Sequence, residues 1–393
     1  MGLRLEGGLA IAFTDMGKRH SWLCGILLAA PLLASCGGRA SQKRSDSTLT
    51  MLVGSYAPAN EEGVRMFRFD QETGDCKAVC GLKGISNPSF LIITDDGKRV
   101  YAVGENSEEK ATAHLIRLNQ QAGTLTLADT KAVHGADPCH LAIMPDSMHL
   151  VTANYSGGSI TIFPLKADGT MGEGDVIHFT GCGPDTTRQE QAHLHCVYPS
   201  PDGKWLMADD LGSDCIHMFP LAPRTRLGID TSAAQNACMA PGSGPRHAVF
   251  DAEGKHLYLL NELQGDVVVC NYANGRLAQV QSIQADSVGA RGSADIPLSP
   301  DGKYLYASNR LKADGIAIFK VDTHTGLLTR AGYQDTGAHP RNFAITPNGK
   351  YLLVACRDAN CIEIYQRDAY TGMLTDTGKR IQMPRPVVIQ FAR

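Results

Sequence analysis

The chain has 393 residues, 43% of them hydrophobic and 20% charged, with a formal net charge of −3 at pH 7. No basic stretch is interleaved with aromatic residues, so the composition argues against a nucleic-acid partner. No segment keeps a 3.6-residue apolar period for several turns, which argues against a long helical domain, and the length is too great for one ordinary hydrophobic core.

The N-terminal segment has the features of a bacterial export signal. Residues 18–20 (Lys-Arg-His) give a positive start, and residues 22–33 form an apolar run that is too short to span a membrane. Residues 33–37, Leu-Ala-Ser-Cys-Gly, resemble the lipobox of bacterial lipoproteins, in which cleavage precedes the cysteine and the cysteine is acylated. We therefore expect Cys36 to be lipidated, with an ordinary secretory signal or a chance apolar run as the alternatives.

This interpretation divides the chain into three parts. Residues 1–36 form a lipoprotein signal peptide, with Met16 as an alternative start, residues 37–47 form a flexible tether rich in Gly, Ser, Arg and Lys, and residues 48–393 form the folded domain. A multiply acylated Cys36 anchors a protein stably to a membrane. The tether has no acidic run beside the lipid, which favours a periplasm-facing protein of the bacterial cell envelope.

A strand, a tight turn and a second strand recur about every 50 residues along the domain. The turns are marked by Asp96-Gly97, Asp146-Ser147, Asp202-Gly203, Glu253-Gly254, Asp301-Gly302 and Asn348-Gly349. A period of this size with short strands between turns is typical of a β-propeller. In one copy, residues 293–298 are predicted as the inner strand and residues 304–308 as the second strand, joined by a hairpin turn.

Six copies leave the two ends of the domain to be explained. Residues 48–56 and 64–69 look like a second and a third strand without a first, and residues 386–391 look like a strand with nothing after it. Joining them as one composite blade closes the ring and removes exposed sheet edges. We therefore predict an all-β fold, a seven-bladed β-propeller with four antiparallel strands per blade, and keep six or eight blades as alternatives.

Ten of the 12 cysteines lie outside the leader. An envelope location permits disulfide bonds. Cys356 and Cys361 flank a turn between two strands and are predicted to pair, and Cys76 with Cys80 is a second candidate. Most of the others alternate within strands and are predicted to be buried as small apolar residues. There is no Cys-x-x-Cys pair and no metal-ligand spacing in the sequence, so we predict neither a metal nor another cofactor.

Strand direction predicts which end of the channel carries chemistry. Adjacent strands run antiparallel, so the start of each inner strand lies beside the end of the second strand, opposite the Asp-Gly turns. The polar residues that begin inner strands are His140, His193, His195, Arg246, His247, Arg291, His339 and Arg341; those that end second strands are Glu105, Asn154, Asp209, Asp210, Asn261, Glu262, Asn309 and Arg310. Their convergence predicts a site for a small anionic ligand. His247 is interpreted as structural, because strand alternation turns it away from the side that Arg246 occupies.

Several segments resemble the seven-bladed lactonase family, which contains bacterial 6-phosphogluconolactonases of the propeller type and fungal carboxymuconate-lactonizing enzymes. They are His-Leu-His-Cys-Val-Tyr-Pro-Ser-Pro-Asp-Gly (193–203), Gly-Pro-Arg-His-Ala-Val-Phe (244–250), Leu-Asn-Glu-Leu (260–263), Ser-Pro-Asp-Gly-Lys-Tyr-Leu-Tyr-Ala-Ser-Asn-Arg (299–310) and His-Pro-Arg-Asn-Phe (339–343). The resemblance covers about residues 48–393. It implies an active site of one His, two Arg and one Glu, which the motifs place at His195, Arg246, Arg310 and Glu262.

Hydrolysis of a sugar-acid lactone is the predicted reaction. Glu262 is the candidate general base, and His195 is the candidate acid for the leaving hydroxyl. Arg246 and Arg310 are expected to bind an anionic group and to stabilise the oxyanion. The other mouth residues expected to contact the substrate are His140, Asn154, His193, Asn261, Asn309, His339 and Arg341.

Other interpretations stay open. A carboxymuconate-type cycloisomerase would use the same cationic site for a dicarboxylate, and a non-catalytic envelope propeller would only bind a ligand. Glu262 and Arg246 could instead form a plain structural ion pair. Asp295 departs from the family, whose members often carry Glu there, and the leader departs from the cytosolic location of the family's sugar enzymes, which puts a phosphorylated substrate in question. We expect a monomer whose partners are a small sugar-acid or dicarboxylate ligand and, through Cys36, the membrane.

Overall fold

The computed structural model describes residues 47–392, so the predicted signal peptide, Cys36 and residues 37–46 of the predicted tether lie outside the described residues. Within this range there are 27 strands and two single-turn 3-10 helices, Glu108–Lys110 and Thr231–Ala233. The strands form seven separate antiparallel sheets. The prediction of an all-β, seven-bladed propeller is therefore confirmed. None of the described helices is long and apolar enough to cross a membrane.

The blades are numbered from the composite one, and their strands are given from the channel outwards. Blade 1 consists of Pro386–Phe391, Thr48–Ser55, Val64–Asp70 and Cys76–Leu82; blade 2 of Leu91–Ile93, Arg99–Gly104, Thr112–Asn119 and Thr124–Ala132; blade 3 of Pro138–Ile143, His149–Asn154, Ser159–Pro164 and Asp175–His178; blade 4 of Leu194–Pro199, Trp205–Asp210, Cys215–Pro220 and Gln235–Cys238. Blade 5 consists of Pro245–Phe250, His256–Asn261, Asp266–Ala273 and Arg276–Gln284; blade 6 of Tyr304–Asn309, Gly315–Val321 and Leu328–Asp335; blade 7 of Pro340–Ile345, Tyr351–Cys356, Cys361–Arg367 and Leu374–Gln382.

Ring closure through blade 1 follows the sequence prediction. The last strand, Pro386–Phe391, pairs with the first, Thr48–Ser55, so that the two ends of the domain share one sheet. Seven buried apolar clusters fill the spaces between neighbouring blades, one for each pair. Every blade therefore buries both of its faces, and the core of the molecule is a ring around the channel.

Tyrosines of second strands join blades 2, 5 and 6 to the next blade in the ring. The hydroxyl of Tyr101 in blade 2 donates to the carbonyl of Gly169, which follows the third strand of blade 3, at 2.8 Å. Tyr306 in blade 6 makes the equivalent bond to the carbonyl of Gly372 in blade 7, also at 2.8 Å. The rings fill the inter-blade clusters while the hydroxyls remain hydrogen-bonded, which is how a buried tyrosine avoids a desolvation penalty.

Blade 6 departs from the predicted pattern on its channel side. Residues 293–298 do not form a continuous strand. Isolated bridges, Ser293 to Asn309 and Leu298 to Leu305, and a few backbone hydrogen bonds join them to the second strand. Pro297 has no N–H to donate to the ladder. The amide of Asp295 is also diverted, because it donates to Ser308 Oγ at 3.0 Å.

The predicted disulfides are wrong. Cys356, Cys361, Cys76 and Cys80 are all free, and the disulfide in the described residues joins Cys215 to Cys238 across blade 4. Cys76 and Cys80 lie four residues apart on one strand, where an extended chain holds them about 13 Å apart, too far for a bond. The Cys356 thiol is directed at the Glu363 carboxylate rather than at Cys361. The expected burial of Cys139, Cys196 and Cys270 is confirmed.

Candidate active site

The structure places the four predicted catalytic residues at one end of the channel. His195 and Arg246 lie near the starts of the inner strands of blades 4 and 5. Glu262 and Arg310 directly follow the second strands of blades 5 and 6. All four are at least nine-tenths buried.

A recurrent β-bulge orients side chains near the starts of the inner strands towards the channel. In blades 3, 4, 5 and 7 the register between the inner and second strands slips by one residue at the same level, close to the start of the inner strand. The residues at the slip are Cys139, His195, Arg246 and Arg341. A bulge redirects a side chain locally, and these four all line one small cavity of about 10 Å³ in the channel.

The same bulge corrects the interpretation of His247. Strand alternation predicted that His247 would point away from the side of Arg246, and this is wrong because the slip between Pro245 and His247 interrupts the alternation. Both Arg246 and His247 line the small cavity. The ring of His247 lies 5.2 Å from that of His195 and 5.3 Å from that of His140.

Glu262 is surrounded by guanidinium groups. Its Oε2 accepts from Arg246 Nε at 2.6 Å and lies 3.2 Å from Arg310 Nη2, while its Oε1 accepts from Arg188 Nη2 at 2.7 Å. Burial by itself raises the pKa of Glu262, but Arg310, Arg246 and Arg188 outweigh it and lower that pKa to about 2. Glu262 is therefore ionised at every physiological pH. One carboxylate faces three cations, so the cluster carries an excess of positive charge.

The arginines of this cluster are held in place by backbone carbonyls. Arg310 Nε donates to the Gly292 carbonyl at 2.8 Å, and Arg246 Nη1 donates to the Ala294 carbonyl. Burial, together with the nearby Arg246 and Arg341, lowers the pKa of Arg310 to about 9. Two buried guanidinium groups with fixed orientation and incomplete charge compensation form a preorganised receptor for an anion.

Arg188 completes the cluster and was missed by the sequence analysis. It lies between blades 3 and 4, in residues 179–193, which carry no strand pattern. Its side chain is 34% exposed, so it is the arginine of the cluster most open to solvent. The neighbouring Gln189 is buried and donates to the Leu211 carbonyl at 2.9 Å and to Asp214 at 2.7 Å, which fixes this loop over the channel mouth. In the sequence, Arg188 is only a lone arginine in a loop, which is too weak a signal to predict its role.

A second ion pair adjoins the cluster. Arg341 Nη2 lies 3.5 Å from Glu105 Oε2, and the hydroxyl of Tyr56 donates to Glu105 Oε1 at 2.7 Å. The guanidinium of Arg341 also lies over the ring of Tyr56, 5.3 Å from its centroid. Tyr56 was not singled out from the sequence, although it follows the second strand of blade 1 just as Glu262 follows that of blade 5.

The histidines at this end of the channel are buried. His195 packs edge-on against Tyr155, and His193 stacks on the same ring at 4.5 Å. Burial lowers the pKa of His195 well below 6.5, and Arg246 and His247 lower it further. Burial and Arg310 lower the pKa of His339 to about 3, and its Nε2 lies 3.3 Å from Arg310 Nη1. His140 lies deeper, with Nε2 3.5 Å from Cys196 Sγ.

Three asparagines predicted to contact a substrate are instead engaged within their own blades. Asn154 donates to Ser159 and Thr161, both at 3.0 Å. Asn309 accepts from Ser293 Oγ at 2.6 Å and donates to the Ala285 carbonyl at 3.0 Å. Asn261, likewise buried, donates to Asp266 at 2.9 Å. The amides of Asn154 and Asn309 are therefore engaged away from the arginine cluster, whereas Asn261 Oδ1 is buried without a hydrogen-bond partner, so its contact with a substrate stays a prediction.

The larger cavities lie towards the turn end of the channel. Two of them, about 600 and 550 Å³, extend along the inner strands towards the turns, and the second is lined at that end by Asp95, Asp96 and Arg99. The larger of the two is lined at its inner end by His140, His247, Asp295 and Asn342. Volume alone would favour this end, but the convergent charges are at the other, and we take the arginine cluster as the candidate site. Among residues 47–392, no group of three or more His, Cys, Asp or Glu side chains is arranged to hold a metal ion.

Comparison with known proteins agrees with this architecture. Residues 50–391 match the family model described as lactonase, 7-bladed beta-propeller. The 6-phosphogluconolactonase of Formosa agariphila is 35% identical over 346 residues, which cover 86% of this chain and 96% of the relative. A proposed 6-phosphogluconolactonase from Bacteroides fragilis, of known structure, is 52% identical with a TM-score of 0.85, covering 88% of this chain and 99% of its own. The periplasmic gluconolactonase of Pseudomonas aeruginosa is 30% identical with a TM-score of 0.83 and the same coverage.

Proposed function

We propose that this chain, which belongs to the seven-bladed β-propeller lactonase family, hydrolyses the lactone of a sugar acid at the arginine cluster around Glu262. The observation that carries the proposal is the convergence of three guanidinium groups on one buried carboxylate at the channel mouth. Lactone opening builds negative charge on the carbonyl oxygen and ends in a carboxylate. A site with excess fixed positive charge stabilises both.

The exposure of each arginine indicates whether it stabilises the oxyanion or binds an anionic group of the ligand. Arg246 and Arg310 are 1% and 5% exposed and cannot move freely, which suits them to the oxyanion that forms in the transition state. Arg188 reaches solvent and lies over the mouth, where it is suited to an anionic group of the substrate. This group is the phosphate of a phosphorylated sugar lactone or, for an unphosphorylated lactone, the carboxylate that ring opening releases.

The proton-transfer roles assigned from the sequence remain predictions, and the electrostatics favour other roles. A carboxylate whose pKa is about 2 is a weak base, since an effective general base has a pKa near the working pH. In our proposal Glu262 fixes the positions of the three guanidinium groups. His195 is neutral because burial and Arg246 lower its pKa, and a neutral imidazole accepts a proton more readily than it supplies one.

The location is proposed from the leader and from one relative. The resemblance of residues 33–37 to a lipobox and the periplasmic gluconolactonase among the structural neighbours support an envelope protein that faces the periplasm. An anchor at Cys36 and a monomeric state belong to the same proposal. An unphosphorylated lactone fits that location better, because sugar phosphates are scarce outside the cytoplasm.

The proposal is tested by following proton release from glucono-1,5-lactone and from its 6-phosphate, with a carboxymuconate as the third compound. We expect opening of at least one lactone well above its spontaneous rate. With the 6-phosphate, the variant Arg188→Ala should raise KM about 10-fold or more, the effect of losing a charge-assisted hydrogen bond. With the neutral glucono-1,5-lactone it should change KM less. Arg226→Ala is the matched control, because Arg226 is 78% exposed and pairs with Asp175 far from the cluster.

Each alternative function has its own outcome in this experiment. Turnover of the carboxymuconate without lactone opening would establish the cycloisomerase. Binding of gluconate without turnover of any of the three compounds would establish a non-catalytic propeller.

A further inference from the structure

The small cavity beneath the arginine cluster collects hydrogen-bonding atoms that have no protein partner. In residues 47–392, seven buried side-chain atoms make no hydrogen bond, and three of them belong to residues that line this cavity: Ser89 Oγ, His195 Nδ1 and His247 Nε2. A buried polar atom without a partner is destabilising, because nothing compensates for the loss of its hydrogen bonds to water. Three such atoms around one cavity indicate a ligand rather than three independent defects.

The size of the cavity identifies that ligand. Its volume of about 10 Å³ accommodates about one water molecule and nothing larger. A buried water typically makes about three hydrogen bonds, and Ser89, His195 and His247 supply three. Phe90, His247 and Asn342 line both this cavity and the large cavity of about 600 Å³ below it, so water has a route from the turn end of the channel.

The neighbouring Asp295 fixes which nitrogen of His247 is free. Asp295 Oδ1 lies 2.9 Å from His247 Nδ1, and its Oδ2 accepts from Asn342 Nδ2 at 2.5 Å. A carboxylate only accepts, so Nδ1 of His247 carries the ring proton and Nε2 presents its lone pair. An aspartate that holds a histidine in this tautomer is the arrangement by which a general base is oriented in hydrolases.

We propose that this cavity holds the hydrolytic water and that His247, oriented by Asp295, is the general base that activates it. The inference rests on the proposed lactonase function and deepens it. It assigns His247 as a catalytic residue and Asp295 as a positioning residue, neither of which the sequence analysis gave a role in catalysis. Burial and Arg246 lower the pKa of His247, which keeps its lone pair available at neutral pH.

The step balances without any further reactant. The water oxygen bonds to the lactone carbonyl carbon while its proton passes to His247 Nε2 and the C=O electron pair moves onto the carbonyl oxygen, which the arginines stabilise. Collapse of this intermediate restores the C=O bond and breaks the ring C–O bond. The ring oxygen takes the electron pair and receives the proton from His247, and the new carboxyl group then ionises.

The first test compares variants of this dyad in the full chain, using whichever of the two gluconolactones the wild type opens. His247→Gln and Asp295→Asn should each lower kcat about 100-fold or more, the usual contribution of a general base, whereas Asp295→Glu keeps a carboxylate and should retain more activity than Asp295→Asn. His149→Gln is the matched control, because His149 is also buried and bonded to an aspartate, Asp146 at 2.8 Å, but lies at the turn end.

The pH profile separates catalysis from a structural effect. Protonation of His247 removes the lone pair, so kcat of the wild type should fall on the acid side, below pH 6.5 because the pKa is lowered, and this limb should disappear in His247→Gln. The titratable and charged groups facing His247 are Asp295, Arg246, Arg341, His140, His195 and Cys139. A kcat of His247→Gln within threefold of wild type would overturn the inference while leaving the lactonase function intact.

A crystal structure provides the second test, which is independent of activity. We expect one water within hydrogen-bonding distance of Ser89 Oγ, His195 Nδ1 and His247 Nε2, and a dry cavity would overturn the proposal. If the wild type opens neither lactone, the proposed function fails and the catalytic role of His247 falls with it, whereas an active enzyme with a dry cavity refutes this inference alone.

Discussion

Replacing Glu262 with glutamine tests the electrostatic description of the site. The pKa of Glu262 falls from 4.5 to about 2 on folding. At about 1.4 kcal/mol per pKa unit, the ionised carboxylate stabilises the folded protein by about 3 kcal/mol at pH 7. Glutamine removes this contribution and leaves Arg246, which is 1% exposed, without its counter-ion. We therefore expect Glu262→Gln to lower the free energy of unfolding by about 3–5 kcal/mol.

The effect of this substitution depends on pH with a definite sign. The folded-state pKa lies below the unfolded-state value, so the stabilisation is complete above about pH 4.5 and is lost as the pH falls towards 2. The difference in stability between wild type and Glu262→Gln should therefore be constant from pH 7 to about pH 5 and shrink below that.

Urea unfolding followed by circular dichroism between pH 7 and about pH 3 measures both quantities. Glu253→Gln is the control, because the pair of Glu253 with Lys255 is about two-thirds exposed and contributes little. A loss below about 1 kcal/mol for Glu262→Gln, or a difference that does not shrink in acid, would refute the picture of a carboxylate held ionised by three guanidinium groups.

Two further outcomes test other parts of the structure. The Cys215–Cys238 bond spans 23 residues, so its loss should lower the free energy of unfolding by about 3 kcal/mol. Dithiothreitol should lower the urea midpoint of the wild type but not that of Cys215→Ser/Cys238→Ser. An equal shift in both proteins would contradict the pairing. Asn309→Ala should lower stability by about 1–3 kcal/mol, because Ser293 and the Ala285 carbonyl lose their partner. A 10-fold fall in kcat with unchanged stability would instead support the substrate contact predicted from the sequence.

The features predicted correctly from the sequence are those fixed by chain periodicity and strand direction. Glycine at the hairpin turns adopts positive φ, as Gly203 and Gly302 do, and Ser147 takes its place in blade 3. The turn recurs in six of the seven blades, so both the period and the turn end of the channel could be recognised. Antiparallel pairing then requires inner-strand starts and second-strand ends to meet. This reasoning alone placed Arg246, Glu262 and Arg310 together.

Features fixed by contacts between distant segments could not be predicted in this way. Arg188 reaches Glu262 from a loop held by Gln189, across 74 residues of sequence. The disulfide depends on the strand register in blade 4, where Cys215 lies opposite Cys238. The segment around Cys238 has no repeat motif from which this register could be predicted. Asn154 and Asn309 occupy the predicted strand ends, but the sequence does not show that their amides find partners within their own blades.

The recurrent bulge explains why Arg246 faces the channel as predicted and why the predicted orientation of His247 was wrong. A regular inner strand would alternate its side chains, so only one of two consecutive residues could face the channel. The bulge, repeated at the level of His195, Arg246 and Arg341, removes that restriction. Arg246 can therefore bind Glu262 while the next residue, His247, lines the same cavity and bonds to Asp295. An anion receptor and a histidine–aspartate pair can thus adjoin one another, because a single irregularity of the ladder recurs in four blades.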